Sequence, residues 1–246
     1  MCWRASATAW RVLTMSSGED NRPLSPDEQA PHAVPVTGRT WLTDRTFEMR
    51  FERPAGFAFL PGQKIKLTVG PTYRTYTLIS APKDSELAIC VRLIARGRIS
   101  PLLAEAPVGR MFSLSPAFGF FLYQPSRHPS VFVATGTGIA PFVAFARAGV
   151  RDFHLLHGVR QAADLYYHAL LADCAHTFVP CLSCAPSPLP QWRQLFNGRV
   201  TAYLETRLAP GDYDFYLCGR GEMVRDAMRI IDRRFPSSRV FTETFF

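Results

Sequence analysis

The sequence lacks the marks of a membrane, metal or nucleic-acid protein. No apolar run approaches the roughly 20 residues that a bilayer-spanning helix needs. The six histidines show no metal-ligand spacing, and no block of lysine and arginine is interleaved with aromatic residues. We therefore expect no membrane span, no bound metal and no nucleic-acid partner.

The six cysteines are scattered, with Cys181 and Cys184 as the only close pair. A structural zinc or an iron–sulfur cluster usually needs four ligands, and a second close pair is missing. Cys90 stands in an alternating pattern typical of a small buried side chain. This cysteine usage favours reduced thiols and a cytoplasmic protein without an iron–sulfur cluster of its own.

The composition suits a folded protein with a basic surface. The 246 residues are 47% apolar and 20% charged, with a net charge of +8. Such a surface could attract an acidic protein or a phosphorylated ligand, although ordinary solubilising charge explains it equally well. Residues 1–35 are expected to form a disordered or targeting-like extension, because Arg4 and Arg11 precede the first acidic residue. The alternative is that Met15 is the true start.

The hydrophobic period changes near residue 127. Residues 36–126 hold short alternating runs between glycine and proline turns, which predicts an antiparallel barrel or sandwich. Residues 127–246 alternate continuous apolar runs with helical patterns, which predicts a parallel sheet covered on both faces. In this second domain we expect strands at 131–134, 153–157, 178–182, 214–218 and 240–242, and helices at 140–148, 162–172, 200–206 and 222–234.

A glycine-rich turn follows the strand expected at 131–134. It consists of Gly136, Thr137, Gly138, Ile139, Ala140 and Pro141. Small residues let the backbone approach a pyrophosphate, and the start of a helix offers free N–H groups. The turn lacks the third glycine of the dinucleotide fingerprint, so a plain strand-to-helix turn is the alternative interpretation.

The first domain carries two candidate anion sites. Arg74, Tyr76 and Ser80 would share one face of a strand, with Arg74 as a phosphate clamp and Tyr76 as a flat surface for a ring. The alternative is an edge strand with a surface arginine. At 97–100, a glycine turn leads into a short helix that would again present N–H groups to an anion. Two such sites in one small domain favour a diphosphate ligand.

These motifs follow the order found in the ferredoxin–NADP reductase family, and residues 36–246 resemble its short bacterial members. The similar segments are Arg-x-Tyr-Thr at 74–77, the second flavin motif at 97–100, the end of the flavin barrel at 115–121, the nicotinamide loop at 136–141, Cys-Gly-x-x-x-Met at 218–223 and Glu-Thr-Phe-Phe at 243–246. The resemblance implies a six-stranded antiparallel FAD-binding β-barrel at 36–126. A five-stranded parallel α/β nucleotide-binding domain would follow at 127–246.

The resemblance also implies roles for single residues. Tyr76 would pack against the isoalloxazine, and Thr77, where the family more often has serine, would lie near the flavin N5. The implied flavin-binding residues are Arg74, Tyr76, Thr77, Ser80, Gly97, Arg98, Ile99, Ser100, Phe245 and Phe246. Phe245 and Phe246 stand where some bacterial members have Tyr-Trp, so they can stack but bring no hydrogen-bond donor.

Three residues are implied to be catalytic. Besides Thr77, Cys218 would position the nicotinamide C4, with Gly219 and Met223 in the same motif. Glu243 would assist proton or electron transfer. The alternatives are that Cys218 is plain core and that Glu243 is a solvated carboxylate.

The choice of coenzyme depends on cations near the adenosine ribose. Arg160 and Arg199 are candidates for contact with the 2′-phosphate of NADP. However, Cys184 falls where NADPH-using relatives carry an arginine. The implied coenzyme is therefore NADP or NAD, with a slight preference for NADP.

The implied activity is hydride transfer from NAD(P)H to bound FAD, followed by electron transfer to ferredoxin, flavodoxin or another acidic acceptor. The chain is expected to act as a monomer. One alternative is the reductase component of an oxygenase, or a reductase of free flavin or ferric chelates. Another is a nucleotide-binding regulatory module without turnover.

Overall fold

The chain folds into two sheets that follow each other in sequence. The computed structural model describes residues 31–184 and 194–245, without the side chain of Phe245. Residues 1–30 of the expected extension and the predicted flavin contact Phe246 lie outside the described residues. Within these described ranges, no helix is long and apolar enough to cross a membrane.

The first sheet is a six-stranded antiparallel barrel, as predicted. Its strands are β1 (His32–Trp41), β2 (Thr46–Glu52), β3 (Lys64–Val69), β4 (Thr72–Thr77), β5 (Glu86–Arg92) and β6 (Met111–Leu114), in the order β4-β3-β6-β1-β2-β5. A bridge between Leu78 and Ile89 connects the end of β4 to β5 and closes the barrel. Strand β1 begins before Val36 because Val34 is buried in the same core.

Every second residue along the strands points into the barrel and fills its core. Ile65 and Leu67 of β3 are fully buried, whereas Lys64 and Lys66 point outward from the same strand. The short helix α1 (Ser100–Glu105) covers part of the barrel, because Leu103 packs into this core.

The second sheet is parallel. Its strands are β7 (Ser130–Thr135), β8 (His154–Val159), β9 (Thr177–Leu182), β10 (Phe196–Asn197), β11 (Asp214–Arg220) and β12 (Arg239–Phe245), in the order β10-β9-β8-β7-β11-β12. Its helices are α2 (Ala140–Arg147), α3 (His168–Cys174), α4 (Val200–Thr206) and α5 (Gly221–Arg234). Phe132 packs towards α2 and Val133 packs towards α4 and α5, so both faces of β7 are covered.

Two predictions about the second domain were wrong: the number of strands in its sheet and the extent of one helix. It has six strands rather than five, because Phe196–Asn197 pairs with β9, and a two-residue strand shows no period in the sequence. The helix predicted at 162–172 is divided into a 3₁₀ turn (Ala162–Asp164) and α3. Tyr167 separates the two pieces because its left-handed φ of 60° ends a right-handed helix.

The two domains share one hydrophobic cluster. Ile79, Cys90 and Phe121 from the barrel side pack together with Phe132 and Phe145 from the second domain. A continuous apolar junction of this kind fixes the relative orientation of two domains better than a polar one does.

A polar cluster reinforces the same junction. Glu48 of β2 accepts hydrogen bonds from Arg147 Nη2 at 3.1 Å and from the Tyr167 hydroxyl at 3.0 Å. Arg147 Nη1 also donates to the carbonyl of Ile79 at 3.1 Å. The end of α2 is therefore tied both to β2 and to the segment that follows β4.

Candidate functional site

The glycine-rich turn leads from β7 into α2 through a 3₁₀ turn (Gly136–Ile139), with Pro141 in the first turn of the helix. Gly138 lies against the end of β11. A Cβ at position 138 would be 2.3 Å from the carbonyl oxygen of Cys218 and 2.7 Å from the Cα of Gly219. Only glycine fits there, so the turn and the Cys-Gly motif form one backbone surface.

Gly219 closes the same contact from the other side. Its φ of 143° favours glycine, and a Cβ would be 2.2 Å from Thr135 Oγ1. The Thr135 hydroxyl accepts a hydrogen bond from the backbone N–H of Arg220 at 3.2 Å. Strands β7 and β11 thus end side by side, at the edge where open parallel sheets bind ligands.

A buried histidine on β8 forms a hydrogen bond with the glycine-rich turn. His157 of β8 is fully buried, and its Nε2 donates to the carbonyl of Gly136 at 3.1 Å. Burial lowers the pKa of His157 to about 4, against the opposing effect of this hydrogen bond. The imidazole is therefore neutral near pH 7, and its Nδ1 has no hydrogen-bond partner among the described residues.

The three residues predicted to be catalytic are joined by a fourth, Lys64. Thr77 pairs with Lys64 across the β3–β4 ladder. Lys64 Nζ forms an ion pair with Glu243 Oε1 at 2.6 Å, from the barrel to the last strand of the second domain. Glu243 in turn pairs with Cys218 across the β11–β12 ladder. The flavin motif, the Cys-Gly motif and the C-terminal motif therefore meet in one row.

Cys218 lies at the buried end of this row. Its side chain is fully buried. Burial raises the pKa of the Cys218 thiol well above its ordinary value, Glu243 raises it further, and Lys64 opposes the shift. The residue is thus a neutral thiol that packs in the shared hydrophobic cluster and is not activated for nucleophilic attack.

A cleft of about 590 Å³ opens beside the ion pair, within the size range of small-molecule sites. Its walls are Gln63, Lys64, Phe118, Gly119, Phe120, Phe121, Phe241, Thr242 and Glu243. Aromatic side chains therefore surround a small number of charged groups, an arrangement typical of sites for flat, polar-edged ligands.

The first flavin motif lies on β4, at the edge of the barrel. Arg74 is exposed and donates only to the neighbouring carbonyl of Tyr73, at 3.0 Å, among its described hydrogen bonds. Tyr76 is partly buried against the barrel core, and burial raises its pKa to about 12 although Arg74 opposes the shift. Ser80 is buried, and its hydroxyl accepts a hydrogen bond from Ala88 N at 3.2 Å.

The second flavin motif, at 97–100, is a turn held in shape by hydrogen bonds with the neighbouring Ile94. Gly97 N donates to the carbonyl of Ile94 at 2.7 Å, and Ile94 N donates to the hydroxyl of Ser100 at 3.0 Å. Ile99 is buried in the barrel core, whereas Arg98 is exposed. The arginine and the backbone of the turn are therefore the parts that a ligand can reach.

The residues predicted to select the coenzyme lie at the carboxyl edge of the second sheet, where open parallel sheets bind ligands. Arg160 follows β8 and Cys184 follows β9, and Cys184 N donates to the carbonyl of Arg160 at 2.9 Å. Arg199 directly precedes α4. All three residues are exposed. Within the described parts of the chain, no group of histidine, cysteine and carboxylate residues could hold a metal ion.

Comparison with known proteins shows which families the chain resembles. Residues 132–229 match the oxidoreductase NAD-binding domain family. The structure superimposes on a ferredoxin NADP+ reductase from Neisseria gonorrhoeae, solved with bound FAD and NADP, with a TM-score of 0.75 and 25% identity over 88% of this chain and 99% of that one. The chain is therefore similar in fold and in sequence to the ferredoxin–NADP reductases.

Relatives of known function include electron-transfer proteins of oxygenases. The chain is 30% identical to the toluate 1,2-dioxygenase electron transfer component of Pseudomonas putida, over 83% of this chain and 64% of the relative. It is 29% identical to the ferredoxin–NAD(P)+ reductase component of a Pseudomonas putida naphthalene 1,2-dioxygenase system, over 73% of this chain and 57% of the relative. The chain thus spans less than two thirds of the length of these relatives.

One residue of the family motifs, Met223, lies apart from the row of Thr77, Lys64, Glu243 and Cys218. Met223 lies in the first turn of α5, and its side chain is buried in the core of the second domain. Lys64 and His157 were missed by the sequence analysis. Lys64 was one of two lysines in an alternating strand, and nothing local distinguished it from Lys66.

Proposed function

We propose that this reductase transfers a hydride from NAD(P)H to bound FAD and passes the electrons to a ferredoxin- or flavodoxin-like acceptor. Residues 36–126 would bind the flavin, and residues 127–246 would bind the nicotinamide nucleotide. The observation that carries the proposal is the row of Thr77, Lys64, Glu243 and Cys218, which joins the flavin motif to the nicotinamide motif.

The residues of the barrel fit a flavin dinucleotide. The exposed guanidinium of Arg74 is available for a diphosphate, for which arginine is well suited. Tyr76 has one side packed on the barrel core, which leaves a rigid ring to support an isoalloxazine. Arg98 and the backbone of Ile99 and Ser100 would complete the diphosphate site, and the C-terminal Phe245 and Phe246 would cover the flavin or its adenine.

The second domain fits a nicotinamide nucleotide. The turn of Gly136, Thr137, Gly138 and Ile139, with Ala140 and Pro141 in the first turn of α2, presents small residues and backbone N–H groups to a pyrophosphate. Arg160 and Arg199 at the same edge supply cations for the 2′-phosphate of NADP, so NADP is the expected coenzyme and NAD the alternative.

When bound, FAD accepts the hydride of the nicotinamide and can release its electrons one at a time. The chain binds and orients the two cofactors. Cys218 would place an uncharged thiol next to the nicotinamide site. Thr77 would present its hydroxyl from β4, opposite Lys64 on the neighbouring strand β3. The Glu243 carboxylate is held in place by Lys64 and is available to accept or return a proton.

An aromatic basic surface that shares Phe118 and Phe120 with the walls of the cleft fits the acceptor. It consists of Lys66, Tyr73, Phe118 and Phe120. The Nζ of Lys66 lies 5.4 Å from the centre of the Tyr73 ring and 5.6 Å from that of Phe118. Tyr73 is 54% exposed and Phe120 is 96% exposed. Exposed aromatic residues next to a cation are typical of a docking site, here for an acidic protein.

The second candidate is the reductase component of an oxygenase. It is favoured by the identity to oxygenase electron-transfer components. In such a system the electrons would pass from the flavin to an iron–sulfur centre or to the oxygenase itself. Activity with an oxygenase but not with a ferredoxin or flavodoxin would favour this candidate.

The test is the absorption spectrum of the flavin-loaded protein under anaerobic conditions. NADPH and NADH are added to separate samples. Rapid bleaching of the oxidised flavin bands is expected, and the faster nucleotide identifies the coenzyme. A flavin that stays oxidised with both nucleotides would refute hydride transfer and leave the regulatory nucleotide-binding module as the better hypothesis.

A further inference from the structure

We propose that Lys64 is a positioning residue for hydride transfer, which acts by holding the Glu243 carboxylate between Thr77 and Cys218. The inference rests on the proposed function. The backbone of Lys64 is fixed on two sides. It pairs with Thr77 in β4, and it exchanges two hydrogen bonds of 2.9 Å with Phe118. Its side chain therefore starts from a rigid point of the barrel.

Glu243 depends on this lysine. Strand β12 is the edge of its sheet and pairs only with β11. The 2.6 Å ion pair spans the two domains, with the side chain of Lys64 21% exposed and that of Glu243 14% exposed. Among the described residues, Lys64 is the one cation within ion-pair distance of Glu243. A carboxylate this far from water is costly without its cation, so loss of Lys64 should turn Glu243 towards solvent or neutralise it.

Loss of Lys64 should change the surroundings of the reacting atoms but not the binding of the nucleotide. Glu243 and Lys64 both act electrostatically on Cys218, in opposite directions. The turn at 136–141 contacts Cys218 through Gly138 and has no described bond to Lys64. Removing the lysine should therefore slow hydride transfer and leave nucleotide affinity nearly unchanged. Lys64→Arg keeps the charge and should preserve the rate.

The experiment compares Lys64→Met, Lys64→Arg, Glu243→Gln and the double variant Lys64→Met with Glu243→Gln. Lys83→Met, at an exposed lysine in a turn of the same barrel, is the control. Anaerobic stopped-flow measurement gives the limiting rate of flavin reduction and the nucleotide Kd. Thermal denaturation of the four FAD-free variants gives a readout that needs no activity.

Lys64→Met should lower the limiting rate about tenfold, with Kd changed by less than about twofold. Lys64→Arg should stay within about threefold of the wild type, and Lys64→Met should have no further effect in the Glu243→Gln background. In the FAD-free chain, the shifts in melting temperature of the two single variants should not add.

Three results would overturn the inference: a Lys64→Met variant as fast as Lys83→Met, losses that multiply in the double variant, or an arginine no better than methionine. If neither nucleotide reduces the wild-type flavin, the proposed function fails instead. The denaturation cycle then still decides whether Lys64 holds Glu243, because additive shifts would show that the two side chains act independently.

Discussion

The α-carbon of Gly138 packs against the carbonyl group of Cys218, so closely that a side chain of any size at position 138 would overlap it. The contact joins the turn before α2 to the end of β11. Both sides of the contact are backbone, so neither can move aside as a flexible side chain could. The geometry of the proposed nucleotide site therefore depends on the absence of a side chain at position 138.

Gly138→Ala should impair nucleotide binding while FAD stays bound. The added Cβ, 2.3 Å from a backbone oxygen, must displace the turn or the Cys218 loop. We expect the nucleotide Kd to rise by about tenfold or more, because small displacements of positioning groups are costly. Gly211→Ala is the control, since its Cβ meets only the side chain of Tyr213 in an exposed loop. Equal Kd values for the two variants would contradict the proposed role of the turn.

Arg74→Ala combined with Tyr76→Ala should leave a folded protein with little FAD. The variant loses a charge-assisted contact to the diphosphate and the ring support of the isoalloxazine. We expect FAD affinity to fall by about a hundredfold, measured as flavin content after gel filtration and by titration of the apoprotein. Arg110→Ala, at another exposed arginine of the barrel, should keep wild-type flavin content. Unchanged FAD content in the double variant would show that the flavin site lies elsewhere.

Local patterns predicted the architecture better than they predicted the site. Alternation along β3 and the continuous run in β7 identified a barrel followed by a parallel sheet, because burial on one or two faces leaves a direct mark on the sequence. The turn at 136–141 was also visible, since small residues directly follow a buried strand, although the contact that requires glycine at 138 is with the distant Cys218. The partner of Lys64, by contrast, is 179 residues away.

A side-chain pair that crosses the domain junction, such as Lys64 with Glu243, leaves no periodic pattern in the sequence. His157 was hidden for a related reason, because it is one of two histidines in β8 and its partner is a backbone carbonyl. The two-residue strand β10 is too short for any pattern. These features depend on how separate elements pack together, which a single sequence does not display.

Arg147→Met should weaken the junction between the domains. It removes the ion pair to the largely buried Glu48 and the hydrogen bond to the Ile79 carbonyl. We expect the free energy of unfolding by urea to fall by about 2 kcal/mol, because Glu48 loses a charged partner away from water. Arg229→Met, which removes an exposed pair with Asp226, should cost less than about 0.5 kcal/mol. Similar losses in both variants would mean that the junction contact adds nothing beyond a surface pair.

Tyr73→Ser should weaken docking of the acceptor without affecting flavin reduction by NAD(P)H. Tyr73 is not among the walls of the cleft and its side chain is 54% exposed, so its replacement should cost the free protein little. With an acidic [2Fe–2S] ferredoxin as the probe, we expect KM to rise about tenfold, while turnover with ferricyanide stays unchanged. Val108→Ser, at another exposed apolar residue of the barrel, is the control. An unaltered KM for ferredoxin would place the docking surface elsewhere.

His157 should make the protein less stable in mild acid. Burial lowers its folded-state pKa from 6.5 to about 4, so the unfolded chain binds a proton between these values and the folded chain does not. The free energy of unfolding should therefore be fully retained above pH 6.5 and should fall by about 3 kcal/mol towards pH 4. His157→Gln keeps a donor for the Gly136 carbonyl but cannot titrate, so urea unfolding should show a shallower pH dependence over this window. All other titrating groups, including His154 with its lowered pKa, are common to both proteins and cancel in the difference. Parallel pH profiles for the two proteins would show that the imidazole takes up its proton equally well in the folded state.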